Sequence, residues 1–196
     1  MNSLNFIDNM DGFAAINSSF ICLALTILSF VYNQNYLADI SFILLLTLLG
    51  FTVYNFPPAK LYMGDSGSLF IGFIFGFISI LFDWNPSGES YLYSSIAPIF
   101  LFFTIPLLDF STVFVYRIKN NISPAVGGTD HISHRLLNQG NSVKKVILLI
   151  SYLNIYIFIL LGLTIISYSL SVFVFIVYLG TIITLFLKFQ KMEPLN

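Results

Sequence analysis

Charge is scarce in this chain of 196 residues: 8 Lys and Arg stand against 9 Asp and Glu, so 9% of residues are charged, where a soluble domain carries about 25%. With so little charge, 57% hydrophobic residues and a mean hydropathy of +0.89, a water-soluble globule is excluded. Disorder is excluded by the opposite excess, since 22 Phe, 11 Tyr and long Ile and Leu runs hold far more apolar surface than a disordered chain does. A net charge of -1 offers neither a basic patch for nucleic acid nor a polybasic anchor, so no nucleic-acid partner is expected. Cysteine is nearly absent too. Cys22 stands alone in an apolar run, can form no internal disulfide and reads as a packing residue. The composition predicts an all-α polytopic membrane helix bundle, with residues 1–196 forming a single membrane domain.

A helical span needs roughly 20 largely apolar residues. Six such stretches fall near residues 13–32, 37–54, 67–82, 92–116, 143–164 and 168–188. The third is short, and the fourth carries Pro98 and Pro106, which predict a bend whose freed carbonyls neighbouring helices re-satisfy. Residues 1–12 hold Asp8 and Asp11 but no Lys or Arg, and no small-residue cleavage site follows Tyr32, so the first run is expected to be a mature helix. Six spans put residues 1–12, 55–66, 117–142 and 189–196 on one side and leave three short turns on the other. All 8 basic residues, Lys60, Arg117, Lys119, Arg135, Lys144, Lys145, Lys188 and Lys191, lie in or beside the first group. The turns around Asn33 to Tyr36, Asp83 to Tyr91 and Ser167 have none, so the positive-inside rule predicts both termini in the cytoplasm. Trp84 and Tyr91 read as interfacial anchors.

The polar residues collect in three of the cytoplasmic connections. In the first, Asn5, Asp8, Asn9, Asp11 and Gly12 would share a face if the stretch were helical, suited to a polar ring or a hard cation. A solvated helix entry, with Asp8 and Asp11 at the positive end of the first span's dipole, accounts for them equally. In the second, Gly64 and Gly67 permit a tight turn and close approach to a ligand, Asp65 offers a hard oxygen donor, and Ser66 or Ser68 can cap the third span. A phosphate suits such a helix start, and a carboxylate there can hold Mg²⁺ bridging to it; a capped turn at the membrane boundary is the plainer alternative. The third holds both histidines, His131 and His134, with Asp130 before them and Arg135 after. Two imidazoles are too few for zinc, and with an adjacent arginine they fit anionic oxygen recognition, although basic residues obeying the orientation rule would look the same. Asp109 lies inside the fourth span, where an aspartate costs roughly 2.5–3.5 kcal/mol, so it should face the bundle interior, toward the polar face or a polar partner on another helix.

Together the clusters resemble the polyprenyl-phosphate N-acetylhexosamine-1-phosphate transferases, glycosyltransferase family 4. Asn5 through Asp8 and Asp11 to Gly12 is similar to the family's Asn-x-x-Asp-x-x-Asp-Gly element. Pro58-Ala59 through Met63-Gly64-Asp65-Ser66-Gly67-Ser68 is similar to its Pro-Ala-x-x-x-Met-Gly-Asp-x-Gly-Ser element, and Asp130-His131 through His134-Arg135 resembles its histidine loop. Pro106-Leu-Leu-Asp109 resembles a recurrent Pro-Leu-x-Asp/Glu step. The resemblance implies a reaction of a UDP-N-acetylhexosamine with an undecaprenyl-type phosphate, giving polyprenyl-diphospho-sugar and UMP, with Mg²⁺ required. It implies Asp65 as metal ligand and catalytic residue, with His131 and His134 catalytic at the diphosphate region alongside Arg135. Asn5, Asp8, Asn9, Asp11, Gly64, Ser66 and Gly67 would bind substrate. The implied setting is the inner (plasma) membrane with the active face cytoplasmic; the implied partners are the nucleotide sugar, the lipid phosphate, the bilayer and, as an option, a second copy of the chain. The histidine loop looks more like the N-acetylglucosamine branch than the triple-histidine muramoyl-pentapeptide branch.

Two departures accompany the likeness. Family members carry further helices before the first element and an Asp-Asp pair among them; this chain has no such pair. It therefore reads as the C-terminal portion of a longer enzyme, expected to be inactive alone. Thr129 stands where related sequences often carry arginine, which bears on one phosphate contact. A non-catalytic remnant or partner subunit is an alternative, as is a six-span transporter, although of the polar residues only Asp109 is placed near the midplane where a transporter needs them.

Overall fold

A computed structural model describes residues 1–84, 99–124, 126–166 and 168–194. The chain is a helical bundle with no strand among these residues. Its helices are α1 (Asn2–Phe6), α2 (Phe13–Val31), α3 (Asn35–Asn55), α4 (Gly64–Leu81), α5 (Thr104–Lys119), α6 (Ile132–Asn138), α7 (Val143–Ile166) and α8 (Tyr168–Lys191). Five segments, Phe13–Val31, Asn35–Asn55, Gly64–Leu81, Val143–Thr164 and Ser171–Lys191, are long and apolar enough to cross a membrane. They match five of the six expected spans, with α3 starting two residues earlier and α4 three.

The fourth expected span differs. Residues 91–98, Tyr91 and Pro98 included, lie outside the described residues. From 99 the chain makes a helical turn, breaks at Phe103 and restarts as α5. Pro106 sits in the first turn of α5, where a missing N–H costs least. The carbonyls freed at the break are taken up as a membrane interior requires. The Thr104 hydroxyl reaches Phe100 O at 2.9 Å and Leu101 O at 2.8 Å, and the Tyr178 hydroxyl on α8 donates to Phe100 O at 3.1 Å.

Helices α2 and α3 form an antiparallel hairpin, turned by Asn33 at φ 57°, a left-handed value asparagine tolerates. Small buried residues on both, Ala14, Ala15, Ser18 and Cys22 facing inward from α2 and Ala38 and Ser41 from α3, fit the close packing lipid-embedded helices need. Cys22 is thus the packing residue expected. Helices α7 and α8 form a second hairpin; α7 packs on α2, α8 on α5, and the short α1 lies across α4 and α5.

The two ends of the bundle have different chemistry. At one, Gln34 and Asp83 tie the start of α3 to the end of α4 through Nε2 to Asp83 O at 2.8 Å and Asp83 N to Oε1 at 2.9 Å. Nearby Trp84 packs against Phe82 with ring centroids 4.5 Å apart and donates to Ser79 O at 2.9 Å. The other end holds α1, α6 and every basic residue.

Between α1 and α2 the chain turns on Gly12 at φ 74°, where an added Cβ would lie 3.2 Å from Ile147 Cδ1 and 3.4 Å from Pro57 Cδ. Gly12→Ala is expected to destabilise the protein by about 1–2 kcal/mol from the left-handed backbone alone, with crowding added. Gly50→Ala, mid-helix with nothing within 4 Å, is expected to be neutral or mildly stabilising. Thermal unfolding in detergent compares the two; equal midpoints would refute the strain at Gly12.

Candidate active site

Asn, Asp and Gly compete with helical hydrogen bonding, so residues 1–12 do not continue as one helix. The expected shared face is corrected accordingly: α1 ends at Phe6, and the polar residues after it point to different neighbours. Asn5 Nδ2 donates to Asp65 Oδ1 at 2.9 Å and Ser68 Oγ at 3.0 Å, joining the first cluster to the second. Asn9 Nδ2 closes the turn onto Phe6 O at 2.6 Å, and its Oδ1 accepts the Ser133 hydroxyl at 2.5 Å, joining the first cluster to the third. Asp11 Oδ2 accepts the Ala59 N–H at 3.0 Å, so it braces the loop before α4; it does not cap α2.

Buried Asn55, at the end of α3, does similar work. Its Oδ1 accepts the Gly12 N–H at 3.0 Å and its Nδ2 donates to Leu61 O at 2.8 Å. In the sequence it heads the second polar stretch, an amide ending an apolar run beside a proline loop, with no role of its own implied. Gly64 adopts φ 64°, the tight turn expected. Gly67 instead makes room for Met63, whose Cγ would lie 2.7 Å from an added Cβ. Neither Ser66 nor Ser68 caps α4, a correction with a simple cause: the helix begins earlier, at Gly64, so Ser68 lies inside it and donates to Gly64 O at 3.1 Å. Ser66 and Asp65 are exposed on its first turn.

The histidine segment is built on buried polar pairs. Asp130 receives a two-pronged contact from Arg117, Nε to Oδ2 and Nη2 to Oδ1, both at 2.7 Å. Burial opposes ionisation of Asp130, but the guanidinium outweighs it and holds the carboxyl below its ordinary value. Asp109 faces the interior, 1% exposed, with Oδ2 2.7 Å from His131 Nδ1 and Oδ1 accepting the Ile132 N–H at 2.7 Å. Phe6 meets the His131 ring edge-on at 5.8 Å and stacks on Phe110 at 5.9 Å. The His134 ring lies 6.4 Å from that of His131. Burial, with His131 beside it, pushes His134 below its ordinary value.

Arg135 is turned into the bundle. It is 0% exposed; Nε donates to Asp130 O at 2.7 Å, Nη1 to Phe189 O at 3.1 Å and to Met192 O, and the guanidinium lies 4.5 Å from the Tyr116 ring centre. The carbonyl end of α8 presents the partial negative charge that draws a cation in. Asn138 adds a bond to Pro194 O at 3.1 Å. Arg135 therefore fastens the histidine segment to α8, while its Nη2 lies buried with no hydrogen-bond partner among the described residues.

The three clusters thus converge. Consecutive residues of α1 touch the second and third: Asn5 bonds Asp65, and Phe6 packs on His131. Beside them opens a cleft of about 310 Å³ lined by Asp8, Asn9, Met10, Asp11, Asn55, Tyr62 and Gly64. Burial pushes Asp8 up to about 6, the Gly64 N–H works against this, and the charge of Asp65 adds to it. A carboxylate whose ionisation is opposed by burial and by a neighbouring carboxylate, at the edge of a cleft, fits a hard cation that takes one or two carboxylates with ligand oxygens. Among the described residues no group of three or more His, Cys, Asp or Glu could hold a metal by itself.

Asp8 gives a pH dependence with a definite sign. Between 3.8 and about 6 the folded protein keeps a proton that the unfolded chain releases, so stability falls as pH rises through that window. Asp8→Asn is expected to raise the unfolding midpoint at neutral pH and to lose that gain below the ordinary carboxyl value. A gain independent of pH would refute the assignment.

Residues 1–83 match the family model described as glycosyl transferase family 4. The chain is 30% identical over 178 residues to a probable undecaprenyl-phosphate N-acetylglucosaminyl 1-phosphate transferase of Bacillus subtilis, covering 91% of this chain and 48% of that protein. It is 32% identical over 165 residues to the decaprenyl-phosphate N-acetylglucosaminephosphotransferase of Mycolicibacterium smegmatis, covering 76% and 41%. Against the phospho-N-acetylmuramoyl-pentapeptide-transferase of Chlamydia muridarum it is 44% identical over 84 residues, covering 41% and 25%. The chain spans about half the length of the first relative and less of the others. No solved structure matches. In its first 83 residues the chain matches glycosyl transferase family 4, and along most of its length it is similar to the Bacillus subtilis and Mycolicibacterium smegmatis relatives.

Proposed function

We propose that this chain carries the nucleotide-sugar and phosphate end of an N-acetylhexosamine-1-phosphate transferase, which moves that group, N-acetylglucosamine-1-phosphate by preference, from a UDP-sugar to an undecaprenyl-type phosphate and releases UMP. The observation that supports this most is the convergence of Asp65, the Asn5 to Asp11 segment and His131 at one end of an otherwise apolar bundle. Relatives named for polyprenyl-phosphate acceptors support the lipid substrate. The preference for N-acetylglucosamine rests on the same names.

In this reading Asp65 and Asp8 hold Mg²⁺, which when bound neutralises negative charge on the nucleotide's phosphates. Asn5 orients the Asp65 carboxylate by donating to Oδ1, leaving the other oxygen for the cation. Asn9 and Asp11 keep the cleft wall in place through Ser133 and Ala59, while His131 and His134 meet phosphate oxygens at its rim. All basic residues lie at this end, so it faces the cytoplasm, where UDP-sugars are soluble, and the lipid phosphate arrives from the inner leaflet of the plasma membrane. A transporter reading gains no support, because Asp109 is engaged with His131 and the other site residues lie at the bundle's end.

Two measurements test this. Added Mg²⁺ is expected to raise the unfolding midpoint of the wild-type chain at neutral pH and to leave Asp65→Asn unmoved; equal responses would remove Asp65 from the cation site. UMP release from UDP-N-acetylglucosamine and undecaprenyl phosphate is to be assayed in membranes carrying the chain, alone and with the N-terminal half of the Bacillus subtilis relative. Release is expected to fall about 100-fold or more in Asp65→Asn, and no release in either preparation would overturn the proposal.

A further inference from the structure

Asp109 is fully occupied, and both of its oxygens act on the histidine segment. Oδ2 lies 2.7 Å from His131 Nδ1, and Oδ1 takes the backbone N–H of Ile132 at 2.7 Å. An ionised carboxylate only accepts hydrogen bonds, so the ring nitrogen facing it carries the hydrogen. A neutral imidazole has one N–H and one lone pair, and placing the hydrogen on Nδ1 leaves the lone pair on Nε2. The ring has little freedom to turn over. Phe6 stands edge-on at 5.8 Å, His134 is 6.4 Å away, and the bond to Ile132 fixes the backbone from which the ring projects.

The surroundings reserve Asp109 for this task. Arg117, the nearby buried cation, spends two of its nitrogens on Asp130 and its third on the carbonyls of Pro124 and Val126. Arg135 is held by backbone carbonyls. Among the described residues neither forms an ion pair with Asp109, whose hydrogen-bond partners there are the imidazole and one peptide N–H.

We infer that Asp109 is a positioning residue that holds His131 as the Nδ1–H tautomer and so leaves Nε2 as the ring nitrogen available to substrate. The inference rests on the transferase reading for what Nε2 meets; the tautomer does not. Asparagine at this position separates geometry from proton placement. Its carbonyl can still accept the Ile132 N–H, while its amide donates to Nδ1 and drives the hydrogen to Nε2, the substitution logic known from the aspartate of serine-protease triads.

The chain has two histidines, so ¹⁵N labelling of the imidazoles followed by NMR in detergent, with His134→Gln to assign them, reads the tautomer directly. Wild type is expected to show His131 protonated at Nδ1 above the range where the ring is charged, and Asp109→Asn to show it protonated at Nε2. A wild-type ring protonated at Nε2, or one unchanged in Asp109→Asn, overturns the inference. In a preparation that releases UMP, Asp109→Asn is expected to lower kcat about 10–100-fold while the KM for the UDP-sugar stays within about twofold. A tautomer that flips with no loss of kcat would also refute the positioning role. If wild type releases no UMP, the transferase reading fails while the NMR result still decides the tautomer.

Discussion

Hydrocarbon offers no partner to an exposed peptide group, and that constraint arranges the rest of this protein. The long helices satisfy their own backbones, so irregular chain, and with it most of the concentrated polar chemistry, is confined to where helices stop. Two hairpins and the broken segment between them return the chain to the same end of the bundle. There α1, only five residues long, becomes the junction. One of its neighbouring side chains binds the start of α4, and the next packs on the segment between α5 and α7. Stretches more than 120 residues apart in sequence, Asn9 and Ser133, are brought into hydrogen-bonding contact this way.

Among the described residues the buried charged groups Asp109, Arg117, Asp130 and Arg135 are each paired or bonded, although Nη2 of Arg135 meets no partner. Arg117 and Asp130 match fork to carboxylate, Asp109 meets an imidazole and a peptide N–H, and Arg135 faces a helix's carbonyl end. Breaking a buried pair by removing one partner is far costlier than losing an exposed one, because the remaining charge is left without solvent. These pairs therefore hold the histidine segment in a defined place, whereas Asp65 is kept at the surface, open to a ligand.

Much of this was legible in the sequence because membrane spans announce themselves by length and hydropathy. The spans, their parity and the gathering of the three clusters needed only apolar runs and the positions of eight basic residues. The expectation that Asp65 and His131 share one end followed from parity; in the structure neighbouring residues of α1 touch each of them. What stayed hidden depended on side-chain partners across the bundle. Arg135 looked like a phosphate ligand because a basic residue beside two histidines reads the same whether its guanidinium faces a ligand or the end of α8, 54 residues later in the chain. Asn55 and Arg117 sat at helix ends, where polar residues are ordinary. The break at Phe103 was foreshadowed by Pro106, but the hydroxyls of Thr104 and Tyr178 that make it affordable in lipid belong to separate helices.

The tether between Arg135 and the last turn of α8 reaches into practical handling of the protein. The carbonyls of Phe189 and Met192 that grip the guanidinium lie within the closing residues of the described chain, and Asn138 reaches further along to Pro194. A purification handle or fluorescent fusion joined close behind them would pull on the strand of contacts that seats the imidazoles. A long polar spacer at that junction, or a fusion placed at another loop, would leave the seat undisturbed.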